Sequence, residues 1–158
     1  MKLNVACAED VRDGYINIDM HPPKGYPGIL PANALALPFK NDSFEEILVS
    51  HFLEHLTYVE IMPGLLEWKR VLHPDGKLKI CVPDFSIIAK NWNMCDMPKK
   101  ISWWTPAAFG SQRGPGQEHH SAWDQDVLHH YLKAADFFDW KFWHDSCYDF
   151  WLWCEAYK

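Results

Sequence analysis

Small and polar residues stand where the predicted β-strands end, and these positions are the first candidates for chemistry. Apolar runs predict strands over residues 3–8, 15–20, 46–50 and 77–82. In an open α/β sheet, ligands bind at the carboxyl ends of the strands. Asp19 ends the second strand, where a carboxylate can accept hydrogen bonds from both ribose hydroxyls of a nucleoside. That Asp19 only caps the following loop stays open as the alternative.

Residues 51–55 match the H-x-x-E-H pattern of a class of zinc proteases. That chemistry needs His51 and His55 on one face of a helix, with Glu54 as the base. Thr57 and Glu60 have the spacing of a capping box, so a helix is expected to begin only at Thr57. We therefore predict no metal ligands, and zinc hydrolysis is the least favoured of the alternatives.

The elements that position these residues follow an alternating order. Only residues 9–14 separate the first two strands, too few for a full crossover helix, so the first helix is predicted to be shortened or missing. Residues 21–31, rich in Pro and Gly, predict a loop. A helix is expected over residues 57–72, kinked or restarted at Pro63 as a first-turn residue.

The second half of the chain predicts further alternation. The predictions are a turn at 73–76, a helix over 85–93, an irregular stretch over 99–117, a helix over 124–135, and strands at 140–143 and 150–157. This order predicts a single α/β domain over residues 1–158, with a Rossmann-like three-layer sandwich. Its sheet is expected to be mostly parallel, with an antiparallel C-terminal hairpin strand at the edge.

Composition narrows the class of protein. The formal net charge of -6 argues against nucleic acid as a partner, because phosphate binding needs a basic face. The five cysteines are scattered without a Cys-x-x-Cys pair, which favours reduced thiols and a cytoplasmic location. The first residues lack the apolar core of a signal peptide, and no apolar run reaches membrane-spanning length. We expect no membrane partner.

Tryptophans are the other abundant feature. Trp103, Trp104 and Trp123 lie in or beside predicted loops, where they form either a lid, an apolar acceptor pocket or part of the core. Trp151 and Trp153 share one face of a strand. If both are exposed together, that face predicts a homodimer interface.

Three stretches together resemble the class I S-adenosylmethionine-dependent methyltransferases, of the short bacterial methyltransferase type 11. They are residues 4–8 with 14–19, residues 33–39 with 42–47, and residues 50–56 with 67–84. The resemblance is weaker over residues 109–158. It implies S-adenosylmethionine as cofactor and S-adenosylhomocysteine as product, bound by residues 1–85. Residues 86–158 would supply the loops, helix and hairpin on the acceptor side.

The resemblance also implies roles for single residues. Ala6, Cys7 and Ala8 would lie under the methionine part of the cofactor, and Asp19 would hold the ribose. The side chain of Asn33 and the backbone of Ala34 would face the adenine. Ser50 and His51 would form the floor beneath the sulfonium.

Two positions depart from the family pattern. The family has Gly-Cys-Gly where this chain has Ala6, Cys7 and Ala8, so each Cβ is expected to push the cofactor out or to force the loop aside. Asn33 replaces an Asp, a milder change because its carbonyl oxygen can still accept from an adenine amino group.

The function implied is methyl transfer to O or N of a small-molecule or glycan-like acceptor. The enzyme mostly aligns the reactants, and a base is needed only for a hydroxyl or a protonated amine. The candidate bases are His51, His119 and His120. Local hydrogen bonding is the alternative for each histidine, and a non-catalytic binding or assembly module is the alternative for the protein.

Overall fold

The computed structural model describes residues 1–158, and its central element is one sheet of seven strands. The strands are β1 (Lys2–Val5), β2 (Tyr15–Asp19), β3 (Ile29–Pro31), β4 (Phe44–Ser50), β5 (Leu72–Pro83), β6 (Phe138–His144) and β7 (Trp151–Tyr157). Their order across the sheet is β3-β2-β1-β4-β5-β7-β6. The pairs from β3 to β5 are parallel, and β7 is antiparallel to both of its neighbours.

This topology confirms the predicted α/β sheet with an antiparallel C-terminal hairpin strand. The antiparallel strand is not at the edge, however. Strand β7 lies between β5 and β6, so β6 forms the edge. Lys77 to Pro83 of β5 pair with β7 without a break, and this continuous ladder holds the hairpin on the parallel part of the sheet.

Five helices and two irregular turns complete the chain. The helices are α1 (Tyr58–Val71), α2 (Phe85–Met94), α3 (Met97–Lys99), α4 (Thr105–Phe109) and α5 (Gln125–Ala134), with a 3-10 turn at Leu53–His55 and a π-helical turn at Lys100–Trp104. None of the helices combines the length and the apolar character that crossing a bilayer requires.

Helix α1 begins where its capping box predicts. The backbone N–H of Thr57 donates to the Glu60 carboxylate at 2.9 Å, which satisfies an otherwise unpaired helix-terminal donor. Its buried residues, including Ile61, Leu65 and Trp68, recur at helical spacing and form one apolar face.

Pro63 does not restart this helix as a first-turn residue, so that part of the prediction was wrong. The helix is continuous and Pro63 is its sixth residue. Pro63 and Val59, whose carbonyl loses its intrahelical partner, are both exposed, so water can satisfy that carbonyl while the buried face holds the helix.

Other boundaries differ from the predictions. The connection between β1 and β2 contains no helix, as expected, but residues 29–31 form the short strand β3 inside the stretch predicted to be loop. The stretch predicted to be irregular, residues 99–117, is helical as far as residue 109. Residues 73–76, predicted as a turn, belong to β5 as an irregularity at which the pairing with β4 shifts register.

The aromatic residues in the second half of the chain have different structural roles. Trp123 is fully buried in the core, and its Nε1–H donates to Ser121 at 2.9 Å, so it is not part of a lid. Trp143 and Trp153 are directly opposite on β6 and β7, and their rings stack with centroids 6.0 Å apart. Trp151 and Trp153 are only half-buried, and the homodimer stays a prediction.

Candidate functional site

A cavity of about 620 Å³ opens at the carboxyl ends of β1, β2 and β4. It collects residues that are far apart in the chain: Ala6, Ala8, Asp19, Met20, His21, Ala32, Asn33, Ala34, Leu35, His51, Phe52, His55, Leu56, Glu60, Pro115, Gly116 and Gln117. The volume lies within the range of about 300–1,000 Å³ that is usual for ligand sites. Six of the eight residues predicted to bind a cofactor lie on its walls, and Cys7 and Ser50 do not.

The loop after β1 has a glycine-like backbone although it carries alanines. Ala6 and Ala8 have φ angles of 51° and 45°, in the left-handed region that side chains disfavour. The loop is held in place because the Ala8 N–H donates to Asp19 Oδ2 at 2.9 Å. The Cβ atoms have therefore not converted this loop to an ordinary right-handed turn.

Cys7, between the two alanines, is buried. Burial is the main cause that raises the pKa of its thiol to about 11, and the nearby Asp19 carboxylate adds to the effect. Cys7 therefore contributes packing and backbone, not a reactive thiolate, to this loop.

Asp19 is the half-buried carboxylate at the end of β2. Its Oδ2 accepts from the Ala8 N–H and its Oδ1 accepts from the His21 N–H at 2.8 Å. A carboxylate oxygen can accept more than one hydrogen bond, so both oxygens can still accept from a ligand in the cavity. The loop-capping role and the ribose-binding role are thus compatible.

The segment after β3 offers a ligand mainly backbone groups, and fewer side-chain groups. Asn33 Oδ1 accepts from the Leu35 N–H at 2.9 Å, so the oxygen expected to meet adenine is already used locally. The carbonyl of Ala34 accepts from the buried Trp68 Nε1–H at 3.0 Å. The N–H of Ala34 donates to no other group of the chain and remains available to a ligand.

His51 follows β4 and also has a left-handed backbone, with φ 52°. Its N–H donates to the Cys81 carbonyl at 2.9 Å, and its ring lies edge-on to Trp151 with centroids 4.6 Å apart. Nδ1 is 3.3 Å from Glu54 Oε1 and Nε2 is 3.5 Å from Cys81 Sγ. Both ring nitrogens therefore have neighbours within the chain.

Backbone strain concentrates at this cavity. Seven residues other than glycine have positive φ angles, and Ala6, Ala8 and His51 are the three of them that line it. Strained backbone of this kind persists where the surrounding structure fixes it, and it is frequent at ligand sites.

His119 and His120, adjacent in sequence, differ in surroundings. His119 is half-buried against His55, with ring centroids 4.9 Å apart and nearly perpendicular planes. Burial is the main cause that lowers the pKa of His119, which favours its neutral form. His120 is exposed and lines neither the cavity nor the clefts beside it.

Glu54 was not singled out for binding by the sequence, yet it is the most unusual side chain near the site. It is buried to 1% exposure, and neither carboxylate oxygen has a hydrogen-bond partner. The 3.3 Å approach of His51 Nδ1 is within ion-pair range without the alignment of a hydrogen bond. The H-x-x-E-H geometry fails as expected, because His51 precedes the 3-10 turn and α1 begins only at Tyr58.

A second, apolar cleft of about 270 Å³ opens between α2 and α4. Six of its seven residues are hydrophobic: Phe85, Ile88, Ala89, Trp92, Ala108 and Phe109, with Asn93 as the seventh. The tryptophans predicted to form an acceptor pocket lie elsewhere, since Trp103 and Trp104 pack on Phe150.

Known proteins share sequence motifs with this chain. The family model described as Methyltransferase domain matches residues 12–80. A demethylmenaquinone methyltransferase of Corynebacterium urealyticum is 34% identical over 73 residues, covering 42% of this chain and 31% of that protein. One of Clavibacter sepedonicus is 32% identical over 114 residues, covering 67% and 44%. The chain thus spans less than half the length of these curated relatives.

Solved structures agree on the fold. A SAM-dependent methyltransferase from Archaeoglobus fulgidus superposes with a TM-score of 0.67 at 13% identity, over 99% of this chain and 85% of that chain. The 1,6-didemethyltoxoflavin-N1-methyltransferase of Burkholderia thailandensis, solved with 1,6-didemethyltoxoflavin and S-adenosylhomocysteine bound, has a TM-score of 0.63 at 17% identity, over 99% and 70%. The match to a methyltransferase family model and the S-adenosylhomocysteine bound in the second structure support the expected cofactor, S-adenosylmethionine. The family model covers β2, β3, β4 and most of β5, and the superpositions extend over nearly the whole chain, so the chain has the fold of the class I S-adenosylmethionine-dependent methyltransferases.

Proposed function

We propose that the chain holds S-adenosylmethionine in the 620 Å³ cavity and directs its methyl group to O or N of a small-molecule or glycan-like acceptor. The observation that carries the proposal is the half-buried carboxylate of Asp19 at the end of β2, facing that cavity. The unpaired N–H of Ala34, a donor suited to an adenine ring nitrogen, supports it.

The cofactor supplies an electrophilic methyl group on a positively charged sulfur. In the transfer, the bond from sulfur to the methyl carbon breaks and its electron pair stays on sulfur, while a bond from the carbon to the acceptor forms. The chain's contribution is to align the two reactants and exclude water. Ala6, Ala8 and His51 are the wall residues proposed for the methionine and sulfonium end.

A hydroxyl or ammonium acceptor must also lose a proton. His51 and His119 are the proposed bases, because His51 lines the cavity and burial favours the neutral form of His119. The exposed position of His120 gives its predicted role no support from geometry.

The apolar cleft between α2 and α4 is the proposed site for the acceptor. Its hydrophobic lining favours an acceptor with an apolar body, with the reacting group directed toward His119. The naming of two curated relatives as demethylmenaquinone methyltransferases is compatible with an apolar acceptor, although the chain covers less than half of either.

Calorimetric titration with S-adenosylmethionine and S-adenosylhomocysteine tests the proposal. We expect both to bind the wild type, and Asp19→Asn to weaken binding at least tenfold, the equivalent of about 1.4 kcal/mol. Asp13→Asn is the matched control, since Asp13 is an exposed carboxylate in the same connection between β1 and β2. Absence of binding by the wild type at millimolar ligand would refute the proposal.

A non-catalytic binding module is the second candidate, and the Cβ atoms of Ala6 and Ala8 on the cavity wall favour it. The variant carrying Ala6→Gly and Ala8→Gly separates the two functions. Binding of S-adenosylhomocysteine by the double variant alone would favour the module, and equal binding by the wild type would favour the enzyme.

A further inference from the structure

Glu54 presents an energetic problem that its surroundings within the chain do not solve. A carboxylate buried to 1% exposure loses its hydration, and the two oxygens of Glu54 regain no hydrogen bond. Leaving a buried polar group unpaired destabilises the folded state, and a charged group more than a neutral one. A cation bound at this carboxylate would remove that destabilisation.

Two histidines lie where they can complete such a site. The ligand atoms of Glu54, His55 and His119 all lie within 4.8 Å of one another. Small movements of the side chains would close this separation to the roughly 3.4 Å between ligands of a tetrahedral ion. The three residues come from the 3-10 turn and from the segment before α5, so the fold assembles the cluster from parts 64 residues apart.

The surroundings of the His55 ring follow the pattern of a metal ligand. His55 Nδ1 is 2.9 Å from the carbonyl oxygen of Glu118, so it is Nδ1 that carries the proton and donates. This fixes the tautomer and leaves Nε2 with a free lone pair. Metal-binding histidines usually use their second nitrogen in this way, to donate to a carbonyl or carboxylate.

We propose that Glu54, His55 and His119 bind one divalent transition-metal ion, of the kind that two imidazoles and a carboxylate select, such as Zn²⁺. This departs from the sequence prediction of no metal ligands. It also differs from the H-x-x-E-H hydrolase pattern, because Glu54 is a ligand instead of a base and His51 is not a ligand. With the ion bound, His119 is a ligand, and the role of base belongs to His51.

The position of the ion gives it an open side. His55 lines the 620 Å³ cavity, whereas Glu54 and His119 line a crevice of about 10 Å³, roughly the space of one water molecule. That crevice shares Phe85 and Ile88 with the apolar cleft. Three protein ligands leave a coordination position for an acceptor oxygen or nitrogen at the junction of the two sites; this last point rests on the proposed function.

Metal binding is testable without any methyl transfer. The full chain, prepared without a histidine tag and stripped with a chelator, is titrated with Zn²⁺ by calorimetry and with Co²⁺ by visible absorption. We expect one ion per chain and an absorption band typical of four-coordinate Co²⁺. His119→Gln is expected to weaken Zn²⁺ binding at least tenfold, whereas the control His120→Gln, at the adjacent exposed histidine, leaves it unchanged.

Glu54→Gln supplies a second measurement that does not depend on a ligand histidine. It removes a buried charge without hydrogen-bond partners, so the metal-free variant is expected to unfold at the same temperature as the wild type or higher, and to lose the increase caused by Zn²⁺. The proposal is overturned if millimolar Zn²⁺ gives no saturable binding, if His119→Gln and His120→Gln bind alike, or if metal-free Glu54→Gln is less stable. Because S-adenosylhomocysteine binding is measured separately, failure here leaves the proposed function standing.

Discussion

Replacing Ala6 and Ala8 by glycine is expected to stabilise the protein, against the usual direction of such changes. Both alanines have left-handed φ angles, 51° and 45°, which cost about 1–2 kcal/mol per residue relative to a right-handed conformation. Glycine removes that cost but adds about 0.5–1 kcal/mol of unfolded-state entropy. The net gain is about 0.5–1 kcal/mol per position, or about 1–2 kcal/mol for the double variant if the two sites add.

Thermal unfolding followed by circular dichroism measures this gain. For a chain of this size, 1 kcal/mol corresponds to about 2–4 °C, so the unfolding temperature of the double variant should rise by about 2–8 °C. Ala32→Gly is the matched control, because Ala32 lines the same cavity without a positive φ angle. Its unfolding free energy should fall by about 0.4–1 kcal/mol.

The outcome that refutes the reasoning is a double variant that unfolds at or below the temperature of the wild type. The loop would then not hold the left-handed conformation in solution, and the hydrogen bond from Ala8 to Asp19 would not fix it. If Ala32→Gly also raised the unfolding temperature, the stabilisation would not be specific to residues with positive φ angles.

Two further predictions concern the strand ends. With its pKa raised to about 11, Cys7 is about 0.1% thiolate at pH 8. Iodoacetamide should therefore leave Cys7 unmodified while it alkylates the exposed Cys147, as peptide mass spectrometry would show. Rapid alkylation of Cys7 in the folded protein would contradict its burial. Asp84→Ala should lower the free energy of unfolding in urea by about 2–4 kcal/mol, because buried Asp84 caps α2 and pairs with His144. Asp124→Ala, which removes only the cap of α5, should lower it by about 1 kcal/mol. Equal losses would contradict the additional role of Asp84.

Local chemistry made much of the fold predictable. The spacing of Thr57 and Glu60 and the N-cap residue Asp124 fixed where two helices begin, because the capping side chains satisfy donors in their own first turn. The short connection over residues 9–14 excluded a crossover helix on length alone. These signals lie within a few residues of the feature that they determine.

The features that escaped prediction depend on distant parts of the chain. Pro63 is tolerated inside α1 because its side of the helix faces solvent, which its local sequence does not reveal. The three residues of β3 form a strand only because β2 offers an edge to pair with.

In the candidate site, too, local features were predictable and those that depend on distant residues were not. Motif order indicated Asp19, Asn33, Ala34 and His51, which all reach one cavity. The burial of Glu54 and its approach to His119 were not predictable, since 64 residues separate them and neither belongs to a local pattern with the other. That the alanines keep glycine-like backbone angles also runs against residue preference, and only the surrounding hydrogen bonds account for it.

The position of β7 between β5 and β6 has a consequence for synthesis. Strand β6 leaves the ribosome before β7, yet it has no partner in the sheet until β7 has paired with β5, about 70 residues away in the chain. In the nascent protein the edge of β5 therefore exposes a row of unpaired backbone groups, a template for pairing with another chain. Emergence of the seven-residue strand β7 is thus the step that covers this edge of β5 during translation.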